Sequence, residues 1–452
     1  MILLPCFILL IPLSIVLSDL IPPDQDPFYN PPKGFELEPL GSILKNRTTP
    51  NKLNNLFFTF DVKNSWQLMY RSSNSFDQAA VVVMTVIEPF NASTNKVLSY
   101  QTFQDSANFN CCPSYGFQNG APISTLASQL DMRFFLPALR KGYYVISSDY
   151  EGVNSSFAVG RTSGYAVLDG IRAATNSRDI TGIEPSAKFV LFGYSGGSLA
   201  SSWAISLQPK YAPDLKNYIL GCAMGGLVTN ITATAEATDG STFSGLIPLA
   251  LNGLCNEYEN FKEIVYSKIK SSIKLLNFKE ATSKCFVTGL ITYQNMNFFN
   301  GENRTFEDGF SILDIPIISQ IIESNNLINL NSSYLPQVPI FIYHGTLDDI
   351  VPISGVYKIY KKWCDWGIKS LEFSESLLNG HITEQIFGAA AAITWIDNIF
   401  NGFEGVKGCS HTKRLSNLWS YPNITDETKN YFLSMDYSIL DFILGKNFKV
   451  KR

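Results

Sequence analysis

The sequence predicts an α/β fold: an open, mostly parallel sheet with helices on both faces. Three observations lead there. The run Ala79 to Glu88 (AAVVVMTVIE) is unbroken and rich in β-branched residues, as a strand buried on both faces requires. From about residue 56 onward, short strand-like runs alternate with segments of helical period. The 452 residues are 45% hydrophobic and only 16% charged, enough apolar material for a large core and for two or three domain-sized units.

Taken in order, the chain opens with residues Ile2 to Leu17, apolar except for Ser14 and interrupted by Pro5 and Pro12. This run is shorter than the roughly 20 residues a membrane-spanning helix needs. Val16 and Ser18 suit cleavage after Ser18, so residues 1–18 read as a signal peptide, one that lacks the usual Lys or Arg ahead of its apolar run. An uncleaved anchor is the alternative. No later stretch reaches spanning length without charges or Gly/Pro breaks, so no transmembrane span is expected and a secreted, extracellular protein is.

Residues 19–228 form the first part of the sheet core. Its leading segment, 19–50, is Pro-rich (Ile21-Pro22-Pro23, Asn30-Pro31-Pro32) and is expected to be an irregular surface arm. After the Ala79 run, strands are expected at Val97 to Phe103, Gly142 to Ser148, Ala187 to Phe192 and Tyr218 to Gly225. Gly164 to Asn176 has Val167, Ile171 and Ala174 on one helical stripe, and a second helix starts near Ser198. Residues 229–330 are mostly helical in period and poor in strand runs, with Ile264, Ile269 and Ile273 at helical spacing. That segment is too long for a structureless loop and reads as an inserted helical cap or lid. The core resumes over 331–452, with strands at Pro339 to His344 and Ser370 to Glu375 and a C-terminal flap.

Composition excludes other classes. With 32 Phe, 21 Tyr and 6 Trp the chain is not disordered, and a net charge of −4 argues against nucleic acid as a partner. The mean hydropathy of +0.05 calls for a membrane span or a greasy partner. Of eight cysteines, Cys6 leaves with the signal peptide, and the seven others leave at least one unpaired. None has zinc-like spacing, so no metal is expected, while oxidising surroundings favour disulfides. Seven Asn-x-Ser/Thr sequons, at Asn46, Asn91, Asn154, Asn230, Asn303, Asn331 and Asn423, are candidate glycosylation sites.

Gly193-Tyr194-Ser195-Gly196-Gly197 carries the chemistry. It lies between the strand AKFVLF and the helix-like SLASSWAISLQP, the strand–turn–helix arrangement of a nucleophile elbow. Residues 193 and 197 must be small where strand and helix close in. Leu199, Trp203 and Leu207 give the helix a buried face, and its N-terminus sets partial positive charge beside the serine. A Gly-rich turn without chemistry is the bland alternative. A serine hydroxyl needs a base, and only three histidines exist: His344, His381 and His411. The α/β-hydrolase order of nucleophile, acid, histidine favours His381, just after the presumed last strand. His344 then reads as structural beside a strand end and His411 as a surface residue. In His344-Gly345-Thr346-Leu347-Asp348-Asp349-Ile350-Val351-Pro352 the acid is Asp348 or Asp349, and the HGxxDxxVP pattern favours Asp348. Oxyanion donors are expected from the backbone N–H of Gly196 and, in the loop after the strand at 97–103, of Asp105. A turn cap is the alternative role for Asp105.

These residues resemble the secreted fungal lipases of the Candida type over nearly all of the chain after residue 18. The resemblance is carried by Asp26-Pro27-Phe28-Tyr29, by Gly142-Tyr143-Tyr144-Val145 through Ser148-Asp149-Tyr150-Glu151-Gly152, and by Phe157-Ala158-Val159-Gly160-Arg161. It continues through GYSGGSLA at 193–200, Val228-Thr229-Asn230, Ala235-Glu236-Ala237-Thr238-Asp239-Gly240, Tyr343 to Pro352 and Gly380-His381. It implies an α/β-hydrolase core with an inserted helical cap and triacylglycerol hydrolysis without a cofactor. It places a triad on Ser195, Asp348 and His381, an oxyanion hole on Asp105 and Gly196, and disulfides on Cys111–Cys285 and Cys364–Cys409. Where the family pattern has Cys-Ala-Pro-Ser-Tyr this chain has Cys-Cys-Pro-Ser-Tyr, so Cys111 and Cys112 both remain candidates for the first bridge.

The expected function is a monomeric lipase acting on acylglycerols and other fatty-acyl esters at a lipid–water interface. A carboxylesterase or acyltransferase with the same triad is the near alternative. A serine peptidase finds no support in any site for a peptide terminus. A catalytically dead lipid-binding surface protein would keep the pocket and lose the reaction.

Overall fold

The computed structural model describes residues 20–443 apart from Leu56, Phe57 and Phe60. The expected signal peptide at 1–18, Cys6 within it, and the last nine residues of the expected C-terminal flap lie outside the described residues.

One ten-stranded sheet organises the chain. Its strands are β1 (Ile43–Thr48), β2 (Asn64–Ser73), β3 (Ala79–Glu88), β4 (Ser93–Gln101), β5 (Tyr143–Ser148), β6 (Lys188–Tyr194), β7 (Ile219–Gly225), β8 (Ile340–Gly345), β9 (Ser370–Ser376) and β10 (Gly408–Arg414). Their spatial order is β1-β2-β3-β5-β4-β6-β7-β8-β9-β10. Pairing is antiparallel from β1 to β5 and parallel from β5 through β10. The mostly parallel sheet expected from sequence is therefore present.

The side chains of β6 show why both faces are covered. Phe189 and Leu191 point to the face packed by α2 (Gly160–Thr175), α3 (Gly196–Tyr211) and α10 (Ile353–Asp365). Val190 and Phe192 point to the face packed by α1 (Leu126–Arg140) and α11 (His381–Phe400). Period-two alternation thus feeds two apolar layers from one strand.

Two expectations are corrected. The arm over 19–50 is not irregular throughout, because Ile43–Thr48 is an edge strand paired antiparallel with β2. The strand at Ser370 is not the last: β10 lies beyond it in parallel register. These two strands are the sheet edges, where charged and polar residues (ILKNRT, GCSHTKR) replace the apolar runs of interior strands. A third strand, β2, is interior to the sheet and is also absent from the expected set.

Between β7 and β8 the chain makes an almost wholly helical excursion: α4 (Ile231–Thr238), α5 (Leu246–Glu257), α6 (Glu259–Ser267), α7 (Ser272–Glu280), α8 (Phe286–Tyr293) and α9 (Pro316–Ser324). It has its own core, built on Phe261, Phe278, Phe298, Phe306 and Ile318, which meets the sheet domain through Phe157–Val159 and Ile350–Val351. The helical period around 264–273 breaks between α6 and α7, where Ser271 caps α7 by accepting the Lys274 N–H. Cys111 is bonded to Cys285, tying the segment after β4 to this excursion, and Cys364 to Cys409, tying α10 to β10. Cys112, Cys222 and Cys255 are free and buried.

Candidate active site

Ser195 sits between β6 and α3 with φ 52° and ψ −120°. This left-handed backbone is costly for a residue with a side chain and recurs where function demands it. Its surroundings enforce it. Ser195 N–H donates to Gly225 O on β7, and its own carbonyl accepts from the Ser198 N–H and Oγ. A Cβ on Gly193 would lie 2.2 Å from Gly197 O, and one on Gly197 would lie 1.9 Å from Gln101 O, so both positions must be glycine.

Three strand ends and one helix start bring the other groups in. His381 is the first residue of α11; its Nε2 lies 2.9 Å from Ser195 Oγ and its Nδ1 lies 2.7 Å from Asp348 Oδ2. Tyr194 OH donates to the His381 carbonyl at 2.6 Å and fixes its backbone. Asp348 follows β8, and its Oδ1 accepts the N–H groups of Ile350 and Val351 at 3.0 and 2.7 Å. Burial alone would raise the Asp348 carboxyl, but His381 and His344 hold it well below the ordinary carboxylate range. Asp349 is exposed.

The other two histidines are also engaged. His344 Nδ1 accepts the Leu227 N–H at 3.1 Å, which leaves Nε2 as the protonated nitrogen, 3.1 Å from Asp348 Oδ2 and 3.0 Å from Val351 O. It therefore supports the same carboxylate from below. His411 is exposed, as expected, and is also engaged. It lies on β10 with Nε2 2.7 Å from Glu375 Oε2 and its ring stacked on Phe373. Neither contact could be read without knowing that β10 joins the sheet.

Asp105 lies in the loop after β4 with φ 48°. Its side chain packs so closely on Gly196 that a Cβ there would fall 1.8 Å from Asp105 Oδ1. Burial pushes the Asp105 carboxyl up to about 7. Sequence reasoning did not single out Glu384, one turn into α11. It is buried, and burial raises it to about 7 despite hydrogen bonds from Asn379 and Asn417. The signal available was its place three residues after His381.

Ser195, Gly196 and Asp105 open onto a cavity of about 770 Å³, counting its mouth. Its remaining walls are almost entirely apolar and come largely from the helical excursion, among them Ile231, Leu246, Leu251, Leu313 and Ile322. The apolar, concave lining is that of a small-molecule site. Among the described residues no cluster of His, Cys, Asp and Glu could hold a metal, and no helix is long and apolar enough to cross a membrane. Six of the seven sequon asparagines are exposed; Asn230 is half-buried and caps α4 by accepting the Ala233 N–H.

Sheet order, elbow and cavity together define an α/β-hydrolase. Residues 117–408 match the family model described as secretory lipase. The chain is 54% identical to Lipase 1 of Candida albicans over 423 residues, covering 94% of this chain and 90% of that protein. It is 50% identical to Lipase 6 of the same organism, covering 95% and 92%. The fold superposes on the crystal structure of Candida antarctica lipase A in its closed state with a TM-score of 0.80 and 27% identity, covering 92% and 96%. The chain belongs to the secretory lipase family and is a lipase. A secretory family and two disulfides fit an extracellular protein.

Proposed function

We propose that the chain hydrolyses triacylglycerols and related fatty-acyl esters through a Ser195–His381–Asp348 triad and an acyl-enzyme. The observation that carries this reading is the unbroken chain of contacts from Ser195 Oγ to His381 Nε2 and from His381 Nδ1 to Asp348. Ser195 Oγ attacks the ester carbonyl while His381 Nε2 takes its proton. Asp348, kept ionised, stabilises the imidazolium that forms. The Gly196 and Asp105 amides receive the oxyanion, each such donor being worth about 3 kcal/mol in the transition state. Collapse of the tetrahedral intermediate breaks the C–O bond, and His381 returns its proton to the departing alcohol. Water, deprotonated by the same nitrogen, then cleaves the acyl–Ser195 ester and regenerates the hydroxyl.

The mostly apolar lining of the cavity supports a fatty-acyl substrate. Residues 229–330 act as a cap over a core formed by 19–228 and 331–452. Rates on emulsified long-chain triacylglycerol and on soluble short esters test the reading, with Ser195→Ala as control. The expected result is a higher rate on the emulsion and loss of both activities in the variant. An emulsion rate no greater than that on short esters would favour a carboxylesterase and overturn the lipid specificity.

A further inference from the structure

The carboxyl edge of the sheet carries apolar residues that neither the proposed reaction nor the core uses. Leu347, Leu378 and Leu415 follow the ends of β8, β9 and β10, three neighbouring parallel strands. Backbone hydrogen bonds hold them side by side. Leu347 N–H donates to Asn379 O at 3.0 Å, and Leu378 N–H donates to Leu415 O at 3.2 Å. Ile382, in the first turn of α11, and Trp419, one turn after Leu415, extend the group. All five side chains are between 47% and 65% exposed. Single exposed apolar residues need no explanation, and Leu37, Phe76 and Phe90 elsewhere are of that kind. Three leucines brought together by strand register, with Ile382 and Trp419 close to them along the chain, are different, because contiguous exposed apolar surface marks an interaction site. The carboxyl edge is also the edge where open α/β sheets bind their ligands.

Position identifies the occupant. Leu347 directly precedes Asp348, and Leu378 and Ile382 bracket His381, so the patch borders the groups that face Ser195. Charged Lys413 and Asp349 lie at its margin, more than half-exposed and exposed respectively. An indole beside leucines inside a polar rim is the composition of a surface that rests at the boundary between oil and water. We infer that Leu347, Leu378, Ile382, Leu415 and Trp419 form the surface by which this lipase docks on a lipid aggregate, setting the mouth of its site against the substrate phase. The inference rests on the reading of the chain as a hydrolase of water-insoluble esters.

Trp419 supplies the probe, being the one strongly exposed tryptophan among the described residues. In a Ser195→Ala background, dioleoylphosphatidylcholine vesicles are expected to shift the indole emission to shorter wavelength. A further Trp419→Phe substitution is expected to remove that shift. In the active enzyme, Leu378→Ser with Leu415→Ser and Trp419→Ser should lower the rate on emulsified triolein about tenfold and leave soluble butyrate-ester hydrolysis within about twofold. Trp419→Ser alone, at a site too exposed to threaten folding, should move the emulsion rate in the same direction by a smaller factor. It decides the matter if the triple variant also loses soluble-ester activity.

Unchanged emulsion rate in the single variant, or flotation of the triple variant with vesicles as complete as that of its parent, overturns the inference. So does a parent dimer in light scattering that the triple variant converts to monomer, since a second copy would then be the occupant. Vesicle binding without any triolein hydrolysis would instead sink the lipase reading and leave the docking surface standing.

Discussion

The sheet core and the helical excursion face the same cavity with different parts of the chain. On the core side, position is set by backbone. Ser195 is locked at φ 52° by a Gly225 carbonyl and two glycines, Asp348 is held by the Ile350 and Val351 amides, and His381 is anchored through its own carbonyl by Tyr194. On the excursion side, the walls are mostly apolar side chains of α4, α5 and α9, with Thr232, Thr234 and Thr238 among them. Backbone hydrogen bonds constrain geometry to fractions of an ångström, whereas apolar packing tolerates exchange of similar volumes. The core side is therefore suited to fixed chemistry and the excursion side to adjustable substrate fit.

The largest effect that would break this comparison is on the core. Asp348→Asn should lower kcat for esters of every chain length by roughly 10³-fold, since the amide cannot stabilise the imidazolium. A loss confined to long chains would contradict the division. On the excursion, Ala250→Trp fills part of the cavity that Ser195 also lines. It should cut the rate on long-chain esters about tenfold while short esters keep theirs, read from a panel of graded chain length. Equal losses across the panel would place the chain-length limit elsewhere.

How much of this was legible depends on whether the information was local. Ser195 lay in a five-residue motif flanked by a strand run and a helix run. His381 was favoured by chain order and by there being only three histidines, and Asp348 over Asp349 by the HGxxDxxVP pattern. The edge strands were not legible, because β1 and β10 are polar and are made strands only by their neighbours. His411 is engaged by Glu375 from the adjacent strand, and Glu384 is buried by Asn379 and Asn417. These contacts join residues whose relation exists only after the sheet has assembled. The choice between Cys111 and Cys112 was likewise open in sequence; in the fold Cys112 turns into a buried cluster with Tyr29 and Tyr115.

The smallest effect concerns pH. Asp105, Asp149 and Glu384 are all in the core, and burial raises each to about 7. Their folded forms hold protons that the unfolded chain releases near pH 4. The stability they contribute is thus full below that pH and lost as pH rises through about 7. Asp348 acts in the opposite sense, but only at acidity below its unfolded value. The melting temperature at pH 5 should exceed that at pH 8 by a few degrees, and Asp149→Asn should reduce the difference. A melting temperature that rises steadily from pH 5 to pH 8 would contradict the assignment.

The central claim is that Ser195 forms a covalent acyl intermediate. The most direct measurement is peptide mass spectrometry after reaction with a long-chain alkyl phosphonate ester, which a nucleophilic serine displaces irreversibly. The account predicts one equivalent of phosphonate on the peptide containing Ser195, in step with loss of esterase activity, and no labelling in His381→Ala. Label on any other residue, or full activity in a protein labelled at Ser195, would contradict it.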